Sequence, residues 1–173
     1  MKIIRCTKAR HAEPILEILN EAILNTTALY DYKPRTMEIM MQWFDARELY
    51  GYPIIGIETD GGELMGFGSY GQFRDRPAYK YSAEHSLYVD TRFRGRGVGK
   101  TLLQEIIIAA TAQDYHTLIA GIDSENFVSI TLHERVGFTS CGKIQHAGFK
   151  FGRWLDLVFY QLLLPTPLYP REA

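Results

Sequence analysis

The chain has 173 residues, 46% of them hydrophobic and 23% charged, the balance of one globular domain long enough to bury a core without staples. A formal net charge of −1 provides no basic field for a polyanion, so no nucleic-acid partner is expected. Two cysteines far apart, Cys6 and Cys141, exclude a disulfide framework and a cysteine-based metal site; no metal is expected, and a reducing cytoplasm is the natural setting. The first residues lack the apolar run of a signal peptide, and no stretch has the length of a membrane span, so no membrane partner is expected either.

In chain order, residues 3–7 read as a strand. A helix follows with Pro14 near its first turn and Ile15, Leu16, Ile18, Leu19, Ala22 and Ile23 at helical spacing. Residues 25–30 are a polar break carrying Tyr30. Pro34 is expected to open a second helix, with Met37, Met40, Met41 and Phe44 inward and Gly51 at its end. Residues 53–59 and 63–70, joined by a turn at Asp60, Gly61 and Gly62, form a hairpin. An irregular loop at 71–79 carries Arg74 and Arg76, and a strand runs from Lys80 to Val89. A glycine-rich segment leads into a helix from Val98 to about Gln113, with Val98, Leu102, Ile106 and Ala109 on its inner face. A strand at 117–122, a helix from Asn126 to Val136 stopped by Gly137, and strands at roughly 138–147 and 154–163 complete the chain. The prolines at 165, 167 and 170 keep the tail out of regular structure. The order β-α-α-β-β-β-α-β-α-β-β predicts a mixed α/β domain in which only residues 80–123 form a βαβ unit.

Strand, glycine-rich loop and helix together make an anion site. The first turn of a helix leaves N–H groups unpaired, the macrodipole adds positive potential, and glycines let phosphate oxygens come close. Arg94, Arg96 and Lys100 add charge. A Walker A loop, GxxxxGK(S/T), would need glycine where Arg94 stands, and in a dinucleotide fingerprint the third glycine would come one residue later.

The run Arg94-Gly95-Arg96-Gly97-Val98-Gly99 instead resembles the pyrophosphate loop of the GCN5-related N-acetyltransferases (GNAT), and it follows a strand ending Leu87-Tyr88-Val89-Asp90, as in that family. Residues 126–138, with Asn126, Ser129, His133, Gly137 and Phe138, resemble the family's downstream helix and its Gly-Phe ending. The resemblance implies a single domain over residues 1–165 followed by a Pro-rich tail at 166–173. Its sheet is mixed, mostly antiparallel and twisted, with a V-shaped splay between the central strands and about four helices. It implies acetyl-CoA as cofactor, with Arg94, Gly95, Arg96, Gly97, Val98, Gly99 and Lys100 around the pyrophosphate and Leu87, Tyr88 and Val89 along the pantetheine arm. The Val89 N–H would polarise the thioester carbonyl and stabilise the oxyanion. Asn126 and Ser129 share a helical face that can line the cofactor, though both residue types also suit a helix cap. An ammonium substrate must lose a proton before attack, and Glu84, five residues before Val89 on the same strand, is the candidate base. His133 stands where many members place a tyrosine that protonates the departing thiolate; it can be that acid or a cofactor contact.

The segments at 70–79, 84–89 and 149–156, with the break at 25–30, resemble the phosphinothricin and methionine sulfoximine N-acetyltransferase branch. That likeness implies a small amino-acid-like amine as substrate and a homodimer with the pocket near the interface. It implies Arg74 and Arg76 as forks for a carboxylate or phosphinate, Phe73, Tyr30 and Tyr79 as walls, and His85 and Ser86 beside Glu84. Acetylation of a protein N-terminus, an amino sugar or a polyamine, and a non-catalytic CoA sensor, remain alternatives; the basic loop disfavours a polyamine.

Overall fold

The computed structural model describes residues 1–172. The elements are β1 (Lys2–Arg5), α1 (Lys8–Asn25), α2 (Met37–Leu49), β2 (Ile54–Glu58), β3 (Leu64–Gln72), β4 (Ser82–Val89), α3 (Val98–Ala112), β5 (Thr117–Asp123), α4 (Phe127–Val136), β6 (Thr139–Lys150) and β7 (Arg153–Leu163), with single 3-10 turns at Pro77–Tyr79 and Thr91–Phe93. The chain is an α/β domain in the predicted order. The seven strands of the described residues form one open sheet in the order β1-β2-β3-β4-β5-β7-β6, antiparallel everywhere except between β4 and β5.

The sheet is covered on both faces. On one, α3 buries Val98, Leu102, Ile106 and Ala109, the residues its 3.6-residue period selects, together with Leu103 and Ala110. They pack against Ile55, Met65, Leu118 and Ala120 of the sheet. On the other, Ile15, Ile18 and Leu19 of α1 meet Met40 and Phe44 of α2 over Leu64 and Phe67.

Three local expectations need correction. Pro14 lies in the second turn of α1, because the helix begins at Lys8, where the Thr7 N–H is taken by His11 Nδ1 at 2.8 Å. The second helix starts at Met37 rather than Pro34, since Thr36 is its cap and accepts from the Ile39 N–H at 3.3 Å. Met37 and Met41 are 40% and 39% exposed, so only Met40 and Phe44 face inward.

The β6–β7 hairpin reaches back over the loop between α1 and α2. Lys150, only 4% exposed, donates to the carbonyls of Ile23 (2.6 Å), Thr26 (2.8 Å) and Leu29 (2.6 Å). An ammonium has three donors, so this cage satisfies it without a carboxylate while capping the end of α1. Tyr32 donates to the Phe149 carbonyl at 2.7 Å, and the Tyr30 ring lies against Gly148. The tail also turns back: Thr166 donates to the Tyr115 carbonyl, and Tyr81 hydroxyl exchanges hydrogen bonds with the backbone of Arg171.

Replacing Lys150 by Met leaves three carbonyls without their donor. Urea unfolding should show a loss of about 3 kcal/mol, and a midpoint equal to that of the parent would remove Lys150 as the clamp.

Candidate active site

The site originates where two strands part. β4 and β5 pair only through Ser82↔Thr117, Ala83↔Leu118 and Glu84↔Ile119, and beyond Glu84 they diverge. β4 meanwhile stays paired with β3 up to Val89. Asp90 N–H donates to the Met65 carbonyl and Phe73 N–H to the Ser82 carbonyl, which places the even-numbered residues of β4 in hydrogen-bonded pairs with β3. The backbone groups of His85, Leu87 and Val89 therefore face the opened side, as the splay expected at these strands requires. A wedge of three rings fills its base: His85, His133 from α4 and Phe138, with centroids 5.1–5.4 Å apart.

Beyond the C-terminal end of β4 lies the glycine-rich loop. Gly95 (φ 76°) and Gly97 (φ 82°) are both left-handed, and Gly97 is the N-cap of α3, which has no side-chain cap. A Cβ on either glycine would meet no protein atom within 4 Å, so the loop is an open cradle of N–H groups. These residues fit a pyrophosphate group. Arg96 and Lys100 are exposed beside the loop and form no ion pair among the described residues. Arg94 is engaged differently: it donates to the Val89 carbonyl at 3.2 Å and to Glu21 at 3.3 Å, bracing the end of β4.

Two cavities meet in the splay. The inner one, about 80 Å³, is lined by His85, Ser86, Leu87, Tyr88, Asn126, Ser129 and His133, facing Ala120 to Asp123 of β5. Asn126 does both things its residue type allows, lining this cavity and capping α4 by accepting from the Ser129 N–H at 3.1 Å. The outer cavity, about 730 Å³, is bounded by the α1–α2 loop at Thr27 to Tyr30, by α2 at Trp43 and Arg47, and by Glu84, Ser86 and Tyr88 of β4.

Glu84 stands at the floor of the outer cavity. It keeps solvent contact, yet partial burial lifts its carboxyl above the ordinary carboxylate range, against the opposing pull of Arg74. Gly71, its partner across β3, and Gly121 on β5 leave room around it; a Cβ on Gly121 would come within 3.1 Å of Glu84 Oε1. Of the expected substrate residues, Tyr30, Glu84, His85 and Ser86 line this cavity; Phe73, Arg74, Arg76 and Tyr79 do not. Phe73 and Tyr79 stack edge to face at 5.9 Å on the neighbouring loop, where Arg74 lies over Phe73 and Arg76 is exposed.

Arg47 and Asp123 are wall residues that the sequence reading did not single out. Arg47 sits on a helix recognised only by its core spacing, and nothing in the sequence says that its guanidinium arrives over Gly71. Asp123 is buried at the end of β5, where it accepts from Tyr30 hydroxyl at 3.3 Å and from the Glu125 N–H at 2.9 Å. An acidic residue closing the strand that leads into α4 was its only signal.

His85 and His133 touch Nε2 to Nε2 at 3.0 Å, both buried. The Ser129 carbonyl, 2.7 Å from His133 Nδ1, can only accept, so that nitrogen carries hydrogen. His133 Nε2 then accepts from His85 Nε2–H, and His85 Nδ1 is left buried with no hydrogen-bond partner among the described residues. Burial holds both rings neutral, pushing His85 from 6.5 down to about 3 and His133 downward too. As pH falls below 6.5, the unfolded chain takes up a proton that folded His85 refuses, so stability drains away on the way toward pH 3. Urea midpoints at about pH 7.5 and about pH 4.5 should fall less for His85→Leu than for the parent; equal falls would exclude His85 from the acid response.

The sequence model of the acetyltransferase (GNAT) family matches residues 15–138. The L-methionine sulfoximine/L-methionine sulfone acetyltransferase of Pseudomonas paraeruginosa is 45% identical over 157 residues, covering 90% of this chain and 91% of that protein. An acetyltransferase structure from Salmonella typhimurium with its cofactor acetyl-CoA superposes with a TM-score of 0.95 at 38% identity, covering 100% and 99% of the two chains. A phosphinothricin acetyltransferase from Sinorhizobium meliloti in complex with acetyl-CoA gives 0.92 at 33% identity, covering 98% and 91%. With an open glycine-rich cradle of N–H groups, a splayed β4 and these matches, the chain belongs to the acetyltransferase (GNAT) family and is an N-acetyltransferase.

Proposed function

We propose that the chain transfers acetyl from acetyl-CoA to the α-amino group of a small amino-acid analogue such as L-methionine sulfoximine, methionine sulfone or phosphinothricin, with Glu84 as general base. The observation that carries this reading is the carboxyl of Glu84 with its raised pKa, on the floor of a cavity of about 730 Å³ that adjoins the splay. A carboxylate tuned upward is closer in affinity to the proton it must take from an ammonium near neutral pH. The cofactor supplies an activated acyl group as its thioester.

The protein's own groups divide the work. Backbone N–H groups of residues 95–100, with Arg96 and Lys100, hold the pyrophosphate. The backbone of Leu87 and the N–H of Val89 would take the pantetheine arm as a sheet takes another strand, the Val89 carbonyl being held by Arg94, and the Val89 N–H would be the donor for the thioester carbonyl oxygen. Asn126 and Ser129 line the arm from α4. His133, neutral and with Nδ1–H already given to Ser129, serves the sulfur side as a contact rather than as an imidazolium donor. On the amine side, Tyr30 and Ser86 wall the cavity, while Phe73, Arg74, Arg76 and Tyr79 occupy the adjoining loop, where Arg74 is close enough to act on Glu84.

The outer hairpin supports assembly as a homodimer: Ile144, Phe149, Phe151 and Trp154 are 50%, 46%, 57% and 58% exposed there. Light scattering of the purified protein should give twice the chain mass, and a monomer at working concentration would dismiss the dimer.

Purified protein mixed with acetyl-CoA and methionine sulfoximine should release free thiol. No release with this amine, methionine sulfone or phosphinothricin would sink the substrate assignment. Glu84→Gln should lower kcat by roughly 100-fold with acetyl-CoA affinity retained. Because the base works deprotonated, parent activity should fall with decreasing pH through the raised Glu84 pKa, and the variant should lack that limb. Parent-like kinetics in the variant would take Glu84 out of the mechanism.

A further inference from the structure

α2 lays Arg47 along the wall of the outer cavity. Its guanidinium packs over Trp43 and Tyr52, 5.3 Å and 5.5 Å from the ring centroids. Nη1 donates to the Tyr70 carbonyl at 2.9 Å, while Nε is buried with no hydrogen-bond partner among the described residues. Asp75, Glu84 and Asp123 line the same cavity, yet none forms an ion pair with Arg47. Arg47 is partly withdrawn from water, and a charge so placed gains from a counter-charge, because desolvation without one is costly. That burial also pulls the Arg47 pKa below its ordinary value. Other lysines and arginines also form no ion pair among the described residues, but of all of them Arg47 alone lines this cavity.

The backbone fixes where this charge sits relative to the base. A Cβ on Gly71 would fall 2.5 Å from Arg47 Nη1, so the guanidinium occupies the space a side chain would take there. Gly71 is the cross-strand partner of Glu84, and in a hydrogen-bonded antiparallel pair the two Cα atoms are about 5.5 Å apart with side chains on the same face. One cation and one carboxylate therefore line the same cavity from one face of the β3–β4 pair, with no ion pair between them. A free α-amino acid has the complementary pattern, an ammonium and a carboxylate on one carbon.

Resting on the amino-acid reading above, we infer that Arg47 is the residue that binds the substrate's α-carboxylate, while Glu84 receives the α-ammonium. The planar guanidinium suits a carboxylate held by more than one N–H, and the enclosing Trp43 and Tyr52 fix its plane. Arg47 thereby sets specificity for amines carrying a neighbouring carboxylate. It leaves Arg74 and Arg76, on the loop outside the cavity lining, for the polar far end of the side chain.

The test compares L-methionine sulfone with its decarboxylated amine, using acetyl-CoA and thiol release. The parent enzyme should prefer the amino acid. Arg47→Met should reduce kcat/KM for the amino acid by roughly 10- to 100-fold, with the decarboxylated amine and the KM for acetyl-CoA little changed. Arg47→Lys, which keeps charge but not the fork, should fall between, and thermal melting of both variants checks that they fold. A parent indifferent to the carboxylate, or a variant that loses both amines equally, overturns the role of Arg47 and leaves the transferase reading intact. Calorimetry of methionine sulfone binding in the presence of CoA separates the remaining cases. A parent that binds it through Arg47 without releasing thiol overturns the substrate assignment alone. A parent that neither binds nor turns it over overturns both.

Discussion

Everything the site does depends on a pairing that stops. β4 and β5 hold three residue pairs in common and then part after Glu84, although β4 continues along β3 to Val89. Backbone N–H and C=O groups are costly to leave unpaired when buried, so a sheet opens at its centre only where something else satisfies or exposes them. Here the ring wedge of His85, His133 and Phe138 supports the opening from below, and the exposed cradle at 95–97 lies at its far end. The result is one strand with a finished edge toward β3 and an available edge toward a ligand. An extended thioester arm can use that edge as it would use another strand.

The same divergence separates two chemical environments. Toward α3 and α4 the opening is narrow and holds neutral imidazoles; toward α1 and α2 it widens to a cavity with a carboxylate and an uncompensated guanidinium. Glu84 is the last residue of β4 paired to β5, so it sits at the junction of the two. Its altered acidity follows from that position, since burial of the surrounding strand disfavours charge more than Arg74 restores it. Lys150 contributes from a distance. By closing the end of α1 and holding Leu29, it fixes the loop whose residues 27–30 form the cavity's far wall.

The element order, the α3 core face and the glycine cradle were all legible in the sequence, because each rests on local signals: a 3.6-residue period, alternation, and glycines at a strand-to-helix junction. Helix starts were less so. Pro14 and Pro34 carry the usual signature of a first turn, but α1 begins where His11 takes the Thr7 N–H and α2 where Thr36 caps it. Met37 and Met41 fit an apolar stripe that turned out half exposed, since periodicity cannot say how wide a face its partner covers.

The sequence alone determined the family likeness, the glycine-rich loop before α3 and a strand carrying Glu84 five residues before Val89, since all three are contiguous patterns. Tertiary structure decided which charges share a cavity. Arg47 lies 37 positions before Glu84, and Asp123 lies 39 after it; only the β3–β4 register, the missing side chain at Gly71 and the end of β5 bring them to one floor. It likewise drew Arg94 onto Val89 and Glu21, and left Arg74 and Arg76 on a loop beside the cavity. Such placements are set by packing between distant segments, to which no local pattern of residue types is sensitive.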